Sequence, residues 1–114
     1  MGSYKTWEKL LSILNQEYGI QKDLMSVLFL VGIQESGMGF KGFSQEEKTE
    51  LIKLAEFTLL SRENFYKKIG QDLDHWPIWA ENPMKNLPAG QILNTLLKSL
   101  VLEYFNELHT KINV

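Results

Sequence analysis

No cysteine occurs anywhere in the 114 residues. Disulfides, thiolate nucleophiles and cysteine-ligated zinc or iron–sulfur clusters are therefore excluded within the chain. A long hydrophobic run is also missing. The most apolar stretch, LMSVLFLVGI from Leu24 to Ile33, has ten residues, about half of what a bilayer span requires. The opening MGSYKTWEKLL has no basic region leading into an apolar run, so no cleaved secretory signal is expected and a cytoplasmic location is the default. Charge of one sign is scarce: a formal net charge of -2 offers no basic stripe to supply the counterion release that drives nucleic-acid binding. The patterns HExxH, ExxH and GxxxxGK[ST] and the acidic spacing of an EF-hand loop are absent, so neither a metal nor a cofactor is expected.

What is present describes an ordinary globular chain. Apolar residues make up 44% and charged residues 23%, which separates it from disordered tails. At this length one domain is expected, burying roughly two thirds of its unfolded surface.

The hydrophobic spacing predicts four helices. The first runs from about Ser3 to Tyr18, with Tyr4, Trp7, Leu11, Leu14 and Tyr18 along one face, Ser3 as N-cap and Gly19 as left-handed C-cap. The second, about Gln21 to Ser36, is apolar nearly all round. Its Gly32 marks close approach of a neighbour such as the first or fourth helix. Glu35 ends this helix, either at the rim of the core or as a functional carboxylate. The third, Ser44 to Ser61, opens with a Ser44/Glu47 capping box and buries Leu51, Leu54, Ala55 and Thr58. Its acidic group, Glu46, Glu47 and Glu50, reads as a solvated face. The fourth runs from an Asn86 cap, with Pro88 in its first turn, to about Ile112, with Leu93, Leu97, Leu100, Tyr104 and Leu108 as its stripe. His109 lies near its C-terminus, where the dipole favours an imidazolium.

Two segments interrupt this pattern. ESGMGFKGFS carries three glycines in six residues (Gly37, Gly39 and Gly42), with Phe40 and Phe43 expected to fold back over the core. FYKKIGQDLDHWPIWAE alternates as a strand does and holds turn residues at its centre. It predicts a hairpin of about Phe65–Gly70 paired with His75–Ala80, with Pro77 confined to an edge or a strand end. The fold class is thus mainly α, a compact four-helix bundle-like domain with a small β-hairpin between the third and fourth helices.

The segments LFLVGIQESGMGF, EEKTELIKLA and WPIW, spread over residues 27 to 80, resemble a small uncharacterised bacterial family sharing LFLVGIQE, EEKxEL and WPxW. The resemblance implies a bacterial cytoplasmic origin and carries no activity or site residue. Family members are similar to WPHW at the last motif, so Ile78 stands where they have histidine.

Candidate chemistry concentrates in DLDHWPIWAENP. Asp72, Asp74, His75 and Glu81 would make a weak metal or acid–base set, because adjacent Asp74 and His75 point to opposite faces of an extended strand. Asp72 and Asp74 also suit a turn. Trp76 and Trp79, held by Pro77, make a stronger recognition feature. With His75, Phe40 and Phe43 they form a candidate interaction surface for a protein partner or a second copy. The competing structural role is that both indoles close the core over Trp7 or Phe65. The function expected is protein–protein contact, with homodimerisation included. The alternative is a small-molecule-binding or enzymatic domain with a pocket lined by Glu35, Asp74, His75 or Tyr104. A nucleic-acid module using Lys41, Lys67 and Lys68 ranks last.

Overall fold

The computed structural model describes residues 6–112, with side chains through 108. Helix α1 (Trp7–Tyr18) is capped by Thr6, whose hydroxyl accepts from the Lys9 N–H at 3.1 Å, and ends at Gly19 with φ 68°. The expected cap, Ser3, lies outside the described residues. Leu10 and Leu14 are the buried centre of its apolar face. Tyr18, expected on that face, is half exposed.

Helix α2 (Leu24–Ser36) starts later than the spacing suggests, because the Asp23 carboxylate accepts from the Ser26 N–H at 2.8 Å and caps it there. Six of its residues are buried, Val27, Leu28 and Leu30 to Ile33, so it is enclosed on most sides. Gly32 does mark a close helix contact, but the neighbour is α3 (Gln45–Ser61), not the first or fourth helix. A Cβ added at Gly32 would land on the Leu51 carbonyl and 3.0 Å from the Leu51 Cβ. Only glycine admits another helix's backbone that closely.

The capping box of α3 is complete. The Ser44 N–H donates to Glu47 Oε1 at 2.8 Å, and the Glu47 N–H donates to Ser44 Oγ at 3.1 Å. The Ser44 N–H, more than any charge, holds the Glu47 carboxyl below the usual carboxylate range. Contacts between α2 and α3 advance in the same sense along both helices. Phe43, just before α3, sits edge-on to Phe29 at 5.6 Å; Leu51 then meets Gly32. The loop between the helices carries the chain back along α2 before α3 begins. Phe40, expected over the core, instead lies on this loop 62% exposed and stacks on Tyr18 at 5.6 Å.

Strands β1 (Tyr66–Gln71) and β2 (Pro77–Glu81) form an antiparallel pair, shifted by about one residue from the predicted hairpin. Pro77 opens β2, where the N–H it lacks is least missed. The ladder slips between Lys68 and Gly70, leaving Ile69 as a bulge residue. At the base, the Asn82 N–H donates to the Phe65 carbonyl at 3.0 Å and its amide donates to the Asn64 carbonyl at 2.8 Å. Lys85 reaches the Glu63 carbonyl and lies over the Phe65 ring.

Helix α4 (Gly90–Ile112) packs on all three other helices. It begins at Gly90 and not after Asn86: residues 86–89 are an irregular lead-in, and Gly90 takes φ 60°, which makes the bend into the helix. Leu97, Leu100, Val101, Tyr104 and Phe105 bury its inner face. The side chain of His109 lies outside the described residues. Four helices with an antiparallel hairpin between the third and fourth thus make a compact, mainly α domain.

Replacing Gly32 by alanine forces either the Leu51 backbone or α2 to move. We expect Gly32→Ala to lower stability by about 2 kcal/mol or more, measured as an earlier urea midpoint at unchanged slope.

Candidate functional site

The hairpin stands on α3 through an aromatic cluster. Trp79 stacks on Phe57 at 5.8 Å and 15°, and Tyr66 meets the same Phe57 edge-on at 4.8 Å. Burial is the main reason the Tyr66 phenol is pushed up, with Glu81 and Glu56 adding to it. Trp79 is therefore half buried, yet its partner is Phe57 and not Trp7 or Phe65. Trp7 instead lies under Lys98 of α4.

The hairpin tip has a defined hydrogen-bond pattern. The Asp72 N–H donates to the Trp76 carbonyl at 2.9 Å, and the His75 N–H donates to the Asp72 carbonyl at 3.0 Å. The Asp72 carboxylate accepts from the N–H groups of Asp74 at 2.8 Å and Trp76 at 3.0 Å. Asp72 is thus a loop cap, as its turn chemistry suggests. The loop Leu73–Asp74–His75 ends with His75 at φ 68°, the left-handed position that three-residue hairpin loops usually give to glycine. Asp74 and His75 are consequently not in an extended strand, and the prediction that they point apart fails. Both line one cleft.

That cleft, about 310 Å³, lies between the hairpin and the facing parts of α2 and α3. Glu35, Ser36 and Met38 border it from the end of α2, Leu54 and Thr58 from α3, and Asp74, His75 and Trp76 from the hairpin loop. Gly32, Glu35 and Ser36 share one face of α2, as Leu51, Leu54 and Thr58 do on α3. The cleft is where the two helices part beyond their close contact. On the hairpin, Lys68, Gln71, Pro77 and Trp79 all line it. Strict alternation would put Lys68 and Gln71 on opposite faces; the bulge at Ile69 returns both to the same one. Trp76, Pro77, Trp79 and Leu54 also border a smaller hollow on the other side, with Glu50, Lys53 and Asp72. The Trp76–Trp79 segment is therefore a wall between two hollows.

One wall residue is held from behind. Tyr104 on α4 is buried, and its hydroxyl donates to Glu35 Oε2 at 2.8 Å. Arg62 lies over the Tyr104 ring at 5.5 Å and pairs with Glu107 at 2.7 Å and Glu103 at 3.4 Å. Burial, then the hydrogen bond and charge of Glu35, push the Tyr104 phenol far above its ordinary range, with Arg62 opposing weakly. Tyr104 does not itself line the cleft. It fixes Glu35.

Of the sequence-derived interaction residues, the structure gathers His75, Trp76 and Trp79 around the cleft together with Glu35 and Asp74. Phe40 and Phe43 are not among its lining residues; their rings meet Tyr18 and Phe29. Lys68, Gln71, Leu54 and Thr58 were not singled out for the site by sequence. A bulge and an interhelical gap decide their placement, and neither has a local signature. Among the described residues, no group of three or more His, Cys, Asp or Glu is placed to hold a metal ion. No helix among them is long and apolar enough to cross a membrane.

Two outcomes follow for stability. His75→Gly relieves a left-handed backbone and should raise stability by about 0.5 kcal/mol, whereas β-branched His75→Val should lower it by about 1 kcal/mol or more; urea unfolding at neutral pH measures both. Tyr104 keeps its proton in the folded state at pH values where the unfolded chain, near pH ~10, has released it. Its contribution is therefore present below that range and lost as pH rises through and beyond it. Tyr104→Phe should make the alkaline fall in stability shallower by up to about 1 kcal/mol per pH unit.

Compared with protein-family models, curated proteins and solved structures, the chain matches none.

Proposed function

We propose that this protein acts through protein–protein contact, and that the hairpin with its cleft is the contact surface. The observation that carries this is the cleft itself: a concave site walled by two half-buried indoles, with exposed Met38 on its border and exposed Leu73 on the adjoining hairpin tip. Leu73, at the hairpin tip, is 99% exposed; Met38 on the cleft border is 41% exposed, and Ile78, on the opposite face of β2, is 43% exposed. Aromatic walls beside an exposed apolar tip are a usual form of an interface hot spot. Homodimerisation is one form of this function. A bacterial cytoplasmic origin, and kinship with the family that shares the WPxW pattern, belong to the same proposal.

A small-molecule site is the second function with specific support, since the cleft includes Glu35, Asp74 and His75. Its volume stands at the lower end of the range for small-molecule pockets, about 300–1,000 Å³. Room for one or two side chains beside the exposed Leu73 tip favours a protein partner.

A photoreactive benzoylphenylalanine at Leu73, compared with one at exposed Ile92 on α4, tests the contact surface. Cross-links to a second copy or to another protein should form at Leu73 and disappear with Trp76→Ala, in cells producing the chain. Equal cross-linking at both positions refutes the proposed surface.

A further inference from the structure

The cleft contains more than apolar wall. Two carboxylates, Glu35 and Asp74, border it, and among the described residues neither has an ion-pair partner within the protein. One ammonium, Lys68, faces the same space, so the fixed charge at neutral pH is that of two anions against one cation. Glu35 is positioned by the buried Tyr104 hydroxyl at 2.8 Å, so at least one carboxylate is oriented before any partner arrives. Apart from the neutral polar groups of Ser36, Thr58 and Gln71 and the imidazole of His75, the lining divides into a hydrocarbon and aromatic part, Met38, Leu54, Trp76, Pro77 and Trp79, and the charged part. Lysine and arginine have that same division: an apolar stem that packs on hydrocarbon or indole, and a cationic head.

We infer that the cleft seats a lysine or arginine side chain of a protein partner, its stem against Trp76, Pro77 and Trp79 and its charge on Glu35 and Asp74. This rests on the contact function proposed above and assigns the chemistry of the partner. An acidic side chain is disfavoured because it would meet two carboxylates for one ammonium. A wholly apolar one would leave both carboxylates partly desolvated without a counter-charge. Lys68, on the cleft face of β1, competes with the incoming cation and weakens its binding. His75 contributes an imidazole at the cleft border from a backbone position that favours glycine.

The test uses capped tripeptides, acetyl-Gly-Xaa-Gly-amide, with Xaa as arginine, lysine, citrulline or glutamate, at constant ionic strength. The indole N–H resonances of Trp76 and Trp79 report binding, and Trp7, outside the cleft, is the internal reference. The arginine and lysine peptides should shift the two cleft indoles saturably at millimolar concentration; the citrulline and glutamate peptides should not. Glu35→Gln, which keeps an acceptor for Tyr104, and Asp74→Asn should each weaken binding about two- to five-fold. Lys68→Gln should tighten it by a similar factor, and Glu17→Gln, not among the cleft-lining residues, should leave it unchanged. Tyr104→Phe should weaken it only where Glu35 is intact, as expected of a positioning residue. The inference is overturned if the glutamate peptide binds as well as the arginine peptide, or if Lys68→Gln abolishes binding, since either marks an anion seat. Tighter binding of free tetramethylammonium than of either basic peptide overturns it in favour of a small organic cation. Unmoved indoles with every peptide, alongside intact cross-linking from Leu73, overturn the basic side chain and leave the contact function standing.

Discussion

The close passage of α2 over the Leu51 carbonyl at Gly32 sets the geometry of everything around it. Without a side chain at that point, two helix backbones approach nearer than any alanine permits. This lets α2 give up its solvent face and bury six residues from a 13-residue helix. The same contact determines where the helices separate. Glu35 and Ser36 leave α2 one turn beyond it, while Leu54 and Thr58 follow Leu51 along α3, so the gap that opens is lined by their side chains. The cleft is thus a consequence of core packing and not an addition to it.

The hairpin completes the cleft because its main support is α3. A two-stranded ribbon is marginal alone, and here its support is the stack of Trp79 on Phe57 with Tyr66 edge-on, backed by hydrogen bonds from Asn82 at the base. Those contacts fix the base and middle. They leave the tip, Leu73 to Trp76, to stand over the α2–α3 gap, braced internally by the Asp72 carboxylate. Trp79 therefore serves packing and site together: one neighbour is Phe57, and it also borders the cleft. The rivalry between closing the core and meeting a partner does not require a single winner.

Most of the fold could be read from the sequence because its signals are local. The capping box of Ser44 and Glu47, the Gly19 cap, the stripe from Leu93 to Leu108 and the alternation around Trp76 to Ala80 all depend on residues within one or two turns. Element starts were less legible. Asp23 displaced the start of α2, and Gly90 that of α4, because capping and a positive φ outweighed apolar spacing. The site was half legible. His75, Trp76, Trp79, Glu35 and Asp74 stood out by residue type, yet their convergence depends on contacts between residues some forty positions apart in sequence. Phe40 and Phe43 lie outside the cleft for the same reason: the loop directs their rings to Tyr18 and Phe29.

A free two-stranded ribbon is ordinarily a hazard, since each outer edge offers backbone groups that another chain can extend. Here the outer edges are both interrupted. Pro77 removes a donor at the start of β2, and the Ile69 bulge breaks the regular run of β1. With three regular pairs on one side of the bulge and two on the other, an incoming strand finds no continuous template. The ribbon leaves Leu73 exposed at its tip and both indoles half buried while discouraging indiscriminate stacking through its backbone.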